Sequence, residues 1–189
     1  MKEFKIEFDE LPVSVNKYLK PSAKIVGGRP MIHMYESKEA KDFKKRFTAY
    51  LKREVKKQGW NIEDTSNGHW YLDCVFYQSR TNEDNNNYYK ILCDSLTGVV
   101  IEDDKNLLVR TQRVLYDSKN PHFLARLHSV NYTGIFNSDN EYERFFENNC
   151  GNCRKNSDKC TILKKAKEGR IQEELTKSNE QISCSKIKL

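Results

Sequence analysis

Apolar and polar positions alternate with two different periods along the first two thirds of the chain. Residues 2–8 and 70–76 place an apolar side chain at every second position, which predicts strands with one buried face. Residues 38–58 repeat their apolar side chains at helical spacing, with Ser37 as a candidate cap and Gly59 as the stop. The pattern therefore predicts a strand, a long amphipathic helix and a second strand.

The pattern continues with another helix and two more strands. Apolar spacing predicts a helix that includes residues 88–96, and strands over residues 107–116 and 123–132. The polar residues 117–121 between these two strands predict a hairpin connection. Residues 17–36 include four Lys or Arg residues and predict a long basic loop.

This order of elements, β-α-β-α-β-β, predicts an α+β fold with a mixed β-sheet and two main helices. Because the composition shifts after Gly134, we expect a domain over residues 1–134 and a basic, cysteine-rich segment over residues 135–189. Helices are predicted near residues 139–148 and 163–177. The small C-terminal segment is therefore expected to be helical, and its cysteines make it a candidate for metal binding.

The net charge of +6 is concentrated near the C-terminus. Residues 150–189 contain ten Lys or Arg and five Asp or Glu, a net of +5. A basic balance permits a nucleic-acid partner, although a solvated charged surface explains it more simply. No apolar run approaches the ~18 residues of a membrane helix, and the N-terminus lacks the pattern of a signal peptide. We therefore expect a cytoplasmic protein without a membrane partner, in which cysteines are free or bound to metal.

The stretch richest in chemistry is residues 84–104, where acids and amides precede a helix and three acids follow it. Asp84 stands at the start of the helix, Lys90 lies inside it, and Asp104 ends the acid run. Carboxylates suit a hard cation such as Mg²⁺, and a nearby lysine suits a phosphate. The structural alternative is a capping Asp84, a solvated acidic turn and an ordinary surface lysine.

This stretch also carries a resemblance to a known family. It reads Asp84-Asn85-Asn86-Asn87-Tyr88-Tyr89-Lys90, then Asp94-Ser95-Leu96, then Glu102-Asp103-Asp104. That pattern resembles the signature of RusA-type Holliday-junction resolvases, and Leu11-Pro12 with Ser14-Val15-Asn16-Lys17-Tyr18 is similar to the family's opening motif. The resemblance covers about residues 4–132. It implies a homodimeric α+β endonuclease that needs Mg²⁺ or Mn²⁺, binds four-way or otherwise branched DNA in recombination and repair, and makes paired nicks.

The resemblance also implies roles for individual residues. Asp84 and Asp104 would be metal ligands and Lys90 the catalytic lysine. Asn87 would orient a ligand or contact the DNA backbone, and Asp103 would support Asp104.

One position departs from the family pattern. Asn86 occupies a catalytic and metal-ligand position at which the family motif has an aspartate. An amide oxygen can coordinate a hard ion but supplies no charge and no base. Three interpretations stay open: weaker metal binding, compensation by Glu83 or Glu102, or junction binding without efficient cutting.

Candidate DNA contacts are polar and basic residues outside the acid cluster. Contacts to the DNA backbone give salt-dependent affinity and little sequence information, so shape would have to supply specificity. The candidates are Asn16, Lys17, Lys20, Arg29 and Arg110.

The C-terminal segment contains four cysteines, Cys150, Cys153, Cys160 and Cys184. A Cys-x-x-Cys turn followed by two further cysteines predicts a tetrahedral Zn²⁺ site. An iron–sulfur cluster and unligated thiols are the alternatives. The segment suggests a third functional hypothesis beside a nuclease and a non-catalytic DNA-binding protein, namely a metal-dependent interaction module.

Overall fold

A four-stranded mixed sheet organises the first of two compact units in the computed structural model, which describes residues 2–155, 157–178 and 181–188. The units are Met1–Ser129 and Val130–Leu189. The first contains β1 (Glu3–Phe8), α1 (Val15–Tyr18), β2 (Leu19–Val26), β3 (Arg29–Glu36), α2 (Lys38–Lys57), β4 (Trp70–Gln78), α3 (Tyr89–Leu96), β5 (Leu107–Tyr116) and β6 (His122–Ser129). The second contains α4 (Asp139–Phe145), α5 (Thr161–Lys167), β7 (Leu175–Ser178) and β8 (Gln181–Cys184).

The strand order of the sheet is β1-β6-β4-β5. β4 runs parallel to β5 and antiparallel to β6, which pairs in turn with β1. The prediction of an α+β fold with a mixed sheet is confirmed. The predicted hairpin at residues 117–121 is wrong, because β4 lies between β5 and β6. A central place suits β4 since Leu72, Cys74 and Phe76 are fully buried on it.

Helix α2 covers one face of this sheet, as its spacing predicts. Phe43, Phe47 and Leu51 are fully buried, and the Phe8 ring lies 4.9 Å from the Phe47 ring. The Ser37 side chain accepts a hydrogen bond from the backbone N–H of Ala40 at 3.2 Å. The predicted cap and the predicted apolar stripe are both confirmed.

The predicted basic loop over residues 17–36 is instead the end of α1 followed by a two-stranded antiparallel ribbon, β2–β3. The turn between the strands is formed by Gly27 and Gly28, whose φ angles of 59° and 77° favour glycine. Paired residues share a face, so the register gives the ribbon two different faces. The basic face carries Lys20, Ser22, Lys24, Val26, Arg29, Met31, His33 and Tyr35. The apolar face carries Leu19, Pro21, Ala23, Ile25, Pro30, Ile32 and Met34, with Glu36 at the root of the ribbon.

The C-terminal unit has its own small core, formed by Phe136, Phe145, Leu163, Ala166 and Ile182. The helix predicted near residues 163–177 is shorter than expected, because α5 ends at Lys167 and Gly169 adopts a positive φ of 78°. The chain then forms the antiparallel pair β7–β8. Within the described residues, no helix has the length and apolar character needed to cross a membrane.

Candidate active site

Four short elements meet where the acid cluster lies. Helix α3 contacts α1 and two 3-10 turns, Asn85–Tyr88 before it and Asp104–Asn106 after it. The fold therefore brings both turns, the one before α3 and the one after it, into contact with α3.

Asp84 caps the first of these turns. One of its carboxylate oxygens accepts a hydrogen bond from the backbone N–H of Asn86 at 2.9 Å, and the residue is exposed. Among the described residues the second oxygen has no hydrogen-bond or ion-pair partner. Asn86 is also exposed, and its side-chain amide makes no hydrogen bond to the other described residues. Capping therefore leaves Asp84 and Asn86 with oxygen atoms for a ligand.

Lys90 projects from α3 and is held by a carboxylate one turn later. Its Nζ donates to Asp94 Oδ1 at 2.7 Å. That hydrogen bond raises the pKa of Lys90 above its ordinary value, and the charge of Asp104 acts in the same direction. Lys90 is therefore cationic at neutral pH, with Asp104 within electrostatic range.

Asp104 is the first residue of the second 3-10 turn, and it is half-buried. Within the part of the chain that the structure describes, its carboxylate makes no hydrogen bond or ion pair. Asp103 is engaged locally, since it accepts from the backbone N–H of Lys105 at 3.0 Å and lies 2.7 Å from Lys105 Nζ. Asp103 thus stabilises the turn that carries Asp104.

A comparison with protein families identifies the family to which the chain belongs. The model of the RusA endodeoxyribonuclease family matches residues 12–124, which include both turns and α3. The chain belongs to the RusA family. RusA enzymes are endodeoxyribonucleases that resolve Holliday junctions and generally depend on a divalent metal. No curated protein matches the chain.

The candidate site has fewer grouped carboxylates than a three-acid metal site. In residues 2–155, 157–178 and 181–188, no three His, Cys, Asp or Glu side chains form a group that could hold a metal ion. Glu83 accepts hydrogen bonds from Ser79 Oγ at 2.6 Å and from Tyr88 OH at 2.7 Å, so protein donors occupy both its oxygens. Glu83 therefore supports the turn, and its compensation for the missing aspartate stays a prediction.

The structure does not support the predicted zinc or iron–sulfur site. Cys150, Cys160 and Cys184 pack half-buried against the small core of the C-terminal unit. Burial, with the three other cysteines of the segment, raises the pKa of Cys150 to about 11. Cys153 Sγ accepts a hydrogen bond from the backbone N–H of Lys188. Apolar packing explains the positions of three of these cysteines without a metal.

The predicted DNA-binding residues lie on different elements of the RusA unit. Asn16 and Lys17 are exposed on α1, and Lys20 and Arg29 share the basic face of the ribbon. Arg110 lies on β5, on the sheet face opposite the buried core residues of β4.

Arg110 forms an ion pair with a buried acid, Asp73, on that opposite face. Its Nε donates to Asp73 at 2.6 Å, and its guanidinium lies 3.4 Å from the centre of the Tyr71 ring. Burial opposes ionisation of Asp73, yet hydrogen bonds from Arg110 and His128 lower its pKa to about 2. The position of the Arg110 side chain is explained by its ion pair with Asp73. The contact of Arg110 with DNA stays a prediction.

Sequence reasoning missed three residues that are linked to the Lys90–Asp94 pair by hydrogen bonds through the Tyr18 hydroxyl. Tyr18, Glu36 and Lys44 form a hydrogen-bonded group with Asp94. Tyr18 belongs to the opening motif of the family resemblance, which is the signal that could have identified it.

Proposed function

We propose that this chain is a divalent-metal-dependent endonuclease that resolves Holliday junctions or other branched DNA in recombination and repair. The observation that supports this most directly is the pair Asp104 and Lys90. A half-buried carboxylate without a protein partner is costly unless a cation or water satisfies it. Lys90 keeps its own carboxylate partner, so it is not that cation.

The donor set suits a hard metal. Asp84, Asn86 and Asp104 offer only oxygen atoms, the ligands that Mg²⁺ and Mn²⁺ prefer, and Mg²⁺ retains several waters in such sites. A bound divalent ion would supply neutralisation of phosphodiester charge and a more acidic water. These three residues would hold it, with Asn86 contributing a neutral oxygen.

Lys90 supplies the chain's own contribution to phosphodiester hydrolysis. Its ammonium stays charged beside Asp94 and can donate to a phosphate oxygen as negative charge develops there. Asp103 and Asp84 hold the backbone of the two turns, which fixes the distance between the acids and α3. Asn87, whose backbone N–H bonds to the Asp84 carbonyl, belongs to the same turn.

The basic face of the ribbon supplies a surface for the DNA backbone. Lys20, Lys24 and Arg29 project from one side of β2–β3, and Asn16 and Lys17 precede it on α1. Contacts of this kind are electrostatic and fall with salt concentration. Recognition of a junction would then depend on its shape.

The decisive experiment compares Asp104→Asn with Asp103→Asn on a synthetic four-way junction in Mg²⁺ or Mn²⁺. We expect Asp104→Asn to lower the nicking rate by about a hundredfold or more, because a charged ligand is lost where charge develops. Asp103→Asn keeps an oxygen that can accept from Lys105 N–H, so its rate should stay within about fivefold of wild type. The proposal fails if the wild-type protein does not nick the junction in the presence of Mg²⁺ or of Mn²⁺.

Asn86 favours a second candidate, a junction-binding protein that cuts poorly. Loss of one carboxylate removes a negative charge from the metal site. This alternative predicts tight, salt-sensitive junction binding without a metal-dependent product. The same nicking assay, paired with a binding measurement, separates the two functions.

A further inference from the structure

A hydrogen-bonded chain connects Lys90 to the root of the ribbon. Lys90 Nζ donates to Asp94 Oδ1, and the other oxygen of Asp94 accepts from Tyr18 OH at 2.6 Å. The Tyr18 hydroxyl also lies 2.9 Å from Glu36 Oε1. Lys44 Nζ donates to Tyr18 OH at 3.0 Å and to Glu36 at 2.9 Å. Four elements, α1, β3, α2 and α3, each contribute to this chain.

Each hydrogen bond in this group has a donor proton that can be assigned. The phenol has one proton, and its shorter contact assigns that proton to Asp94. Lys44 supplies the donors for Glu36 and for the phenol oxygen. Burial and the two carboxylates raise the pKa of Tyr18, so the phenol keeps its proton at working pH.

The chain restrains an interaction that would be loose by itself. A solvent-exposed lysine paired with a carboxylate one helical turn away is weakly held, because the side chain loses rotamer freedom for little gain. The Lys90 side chain is 56% exposed, whereas Asp94 is 18% exposed and its second oxygen is fixed by the phenol. Tyr18 itself is only 3% exposed. The acceptor for Lys90 is therefore rigid even though Lys90 reaches solvent.

The same residues close the root of the ribbon. Tyr18 immediately precedes β2, Glu36 ends β3, and Ser37 N–H donates to the Tyr18 carbonyl at 2.9 Å. A displacement of the ribbon by bound DNA would therefore move the hydrogen-bonded group that holds Asp94. We propose that Tyr18, Glu36 and Lys44 are positioning residues that set the place of the Lys90 ammonium and link it to the ribbon. This inference rests on the proposed nuclease function and assigns a role within that site.

The test compares Tyr18→Phe with Tyr116→Phe, a change of an exposed tyrosine at the end of β5, away from the ribbon. Nicking of a four-way junction is measured with enzyme in excess and Mg²⁺, and junction affinity is measured separately with Ca²⁺. We expect Tyr18→Phe to slow nicking about ten- to a hundredfold, since small misplacements of a reacting group have that effect. Junction affinity should stay within about twofold, and Tyr116→Phe should behave as wild type.

A double-mutant cycle separates positioning from a general structural effect. If Tyr18 acts through Lys90, then adding Tyr18→Phe to Lys90→Ala should slow nicking less than about twofold further. Two effects that multiply would overturn the proposal, as would an unchanged rate for Tyr18→Phe alone. Should Tyr18→Phe fail to fold, Glu36→Gln and its combination with Lys90→Ala carry the same expectations. Wild-type protein that does not nick overturns the proposed function itself, an outcome distinct from normal nicking by the variants.

Discussion

At the scale of single residues, the proposed role of Asn86 as a metal ligand can be tested directly. We predict that Asn86→Asp lowers the Mg²⁺ concentration for half-maximal nicking about tenfold, because a second exposed carboxylate beside Asp84 adds attraction for a divalent ion. A Mg²⁺ titration of the nicking rate measures this. Asn85→Asp is the charge-matched control, since the Asn85 side chain donates to Thr111 Oγ1 at 2.7 Å. Equal Mg²⁺ requirements for wild type and Asn86→Asp would contradict a ligand role for Asn86.

The sequence identifies some site residues and not others for a physical reason. Residues 84–104 lie close together along the chain, so a cap, a helical lysine and an acidic turn can be read from local spacing. Tyr18 meets Asp94 across 76 residues of sequence, and Lys44 and Glu36 join them from two further elements. Contacts of that range follow from the tertiary fold. Local patterns do not contain them.

At the scale of elements, the start of α2 is a stability determinant of the first unit. We predict that Ser37→Ala lowers the free energy of unfolding by about 1 kcal/mol, because the Ala40 N–H loses its acceptor at a buried cap. Urea unfolding followed by tryptophan fluorescence reports on this unit, since Trp60 and Trp70 are both buried in it. Ser118→Ala, at an exposed loop position, is the control. Equal midpoints for the two variants would show that the cap contributes nothing.

The ribbon and the β5–β6 connection show where element prediction from the sequence stops. Alternation in residues 19–36 is hidden because the basic face itself contains Val26, Met31 and Tyr35, so charge and hydropathy do not alternate cleanly. The polar connection at residues 117–121 has the composition of a hairpin. The observed strand order instead places β4 between β5 and β6, and Leu72, Cys74 and Phe76 of β4 are fully buried. The α+β class survives these errors because it depends only on element type.

At the scale of the whole molecule, the described residues contain one candidate acid site, whereas resolution of a four-way junction needs two nicks. A second copy of the chain would supply the second site, and the ribbon offers a surface for it. On the apolar face Ile25 is 81% exposed and Ile32 is 74% exposed, and the two are diagonal neighbours across the ribbon. Exposed aliphatic side chains that cluster in this way mark an interaction surface. The opposite face is basic, so two copies that met there would repel each other. Pairing through the apolar faces hides both and leaves the basic faces toward DNA.

We therefore predict that the protein is a dimer and that Ile32→Asp makes it a monomer. In the dimer, the two introduced carboxylates would be buried against each other. The free-energy cost of burying them exceeds the stabilisation that the contact between two ribbons can provide. His33→Asp places the same side chain at the next position but on the basic face, so it should leave the dimer intact. Light scattering coupled to size-exclusion chromatography gives the mass of each variant. A monomeric wild type, or an Ile32→Asp variant with the mass of two chains, would place the partner surface elsewhere. In a nicking assay, Ile32→Asp should still make single nicks yet lose paired cutting of one junction, because each monomer retains Asp84, Lys90 and Asp104.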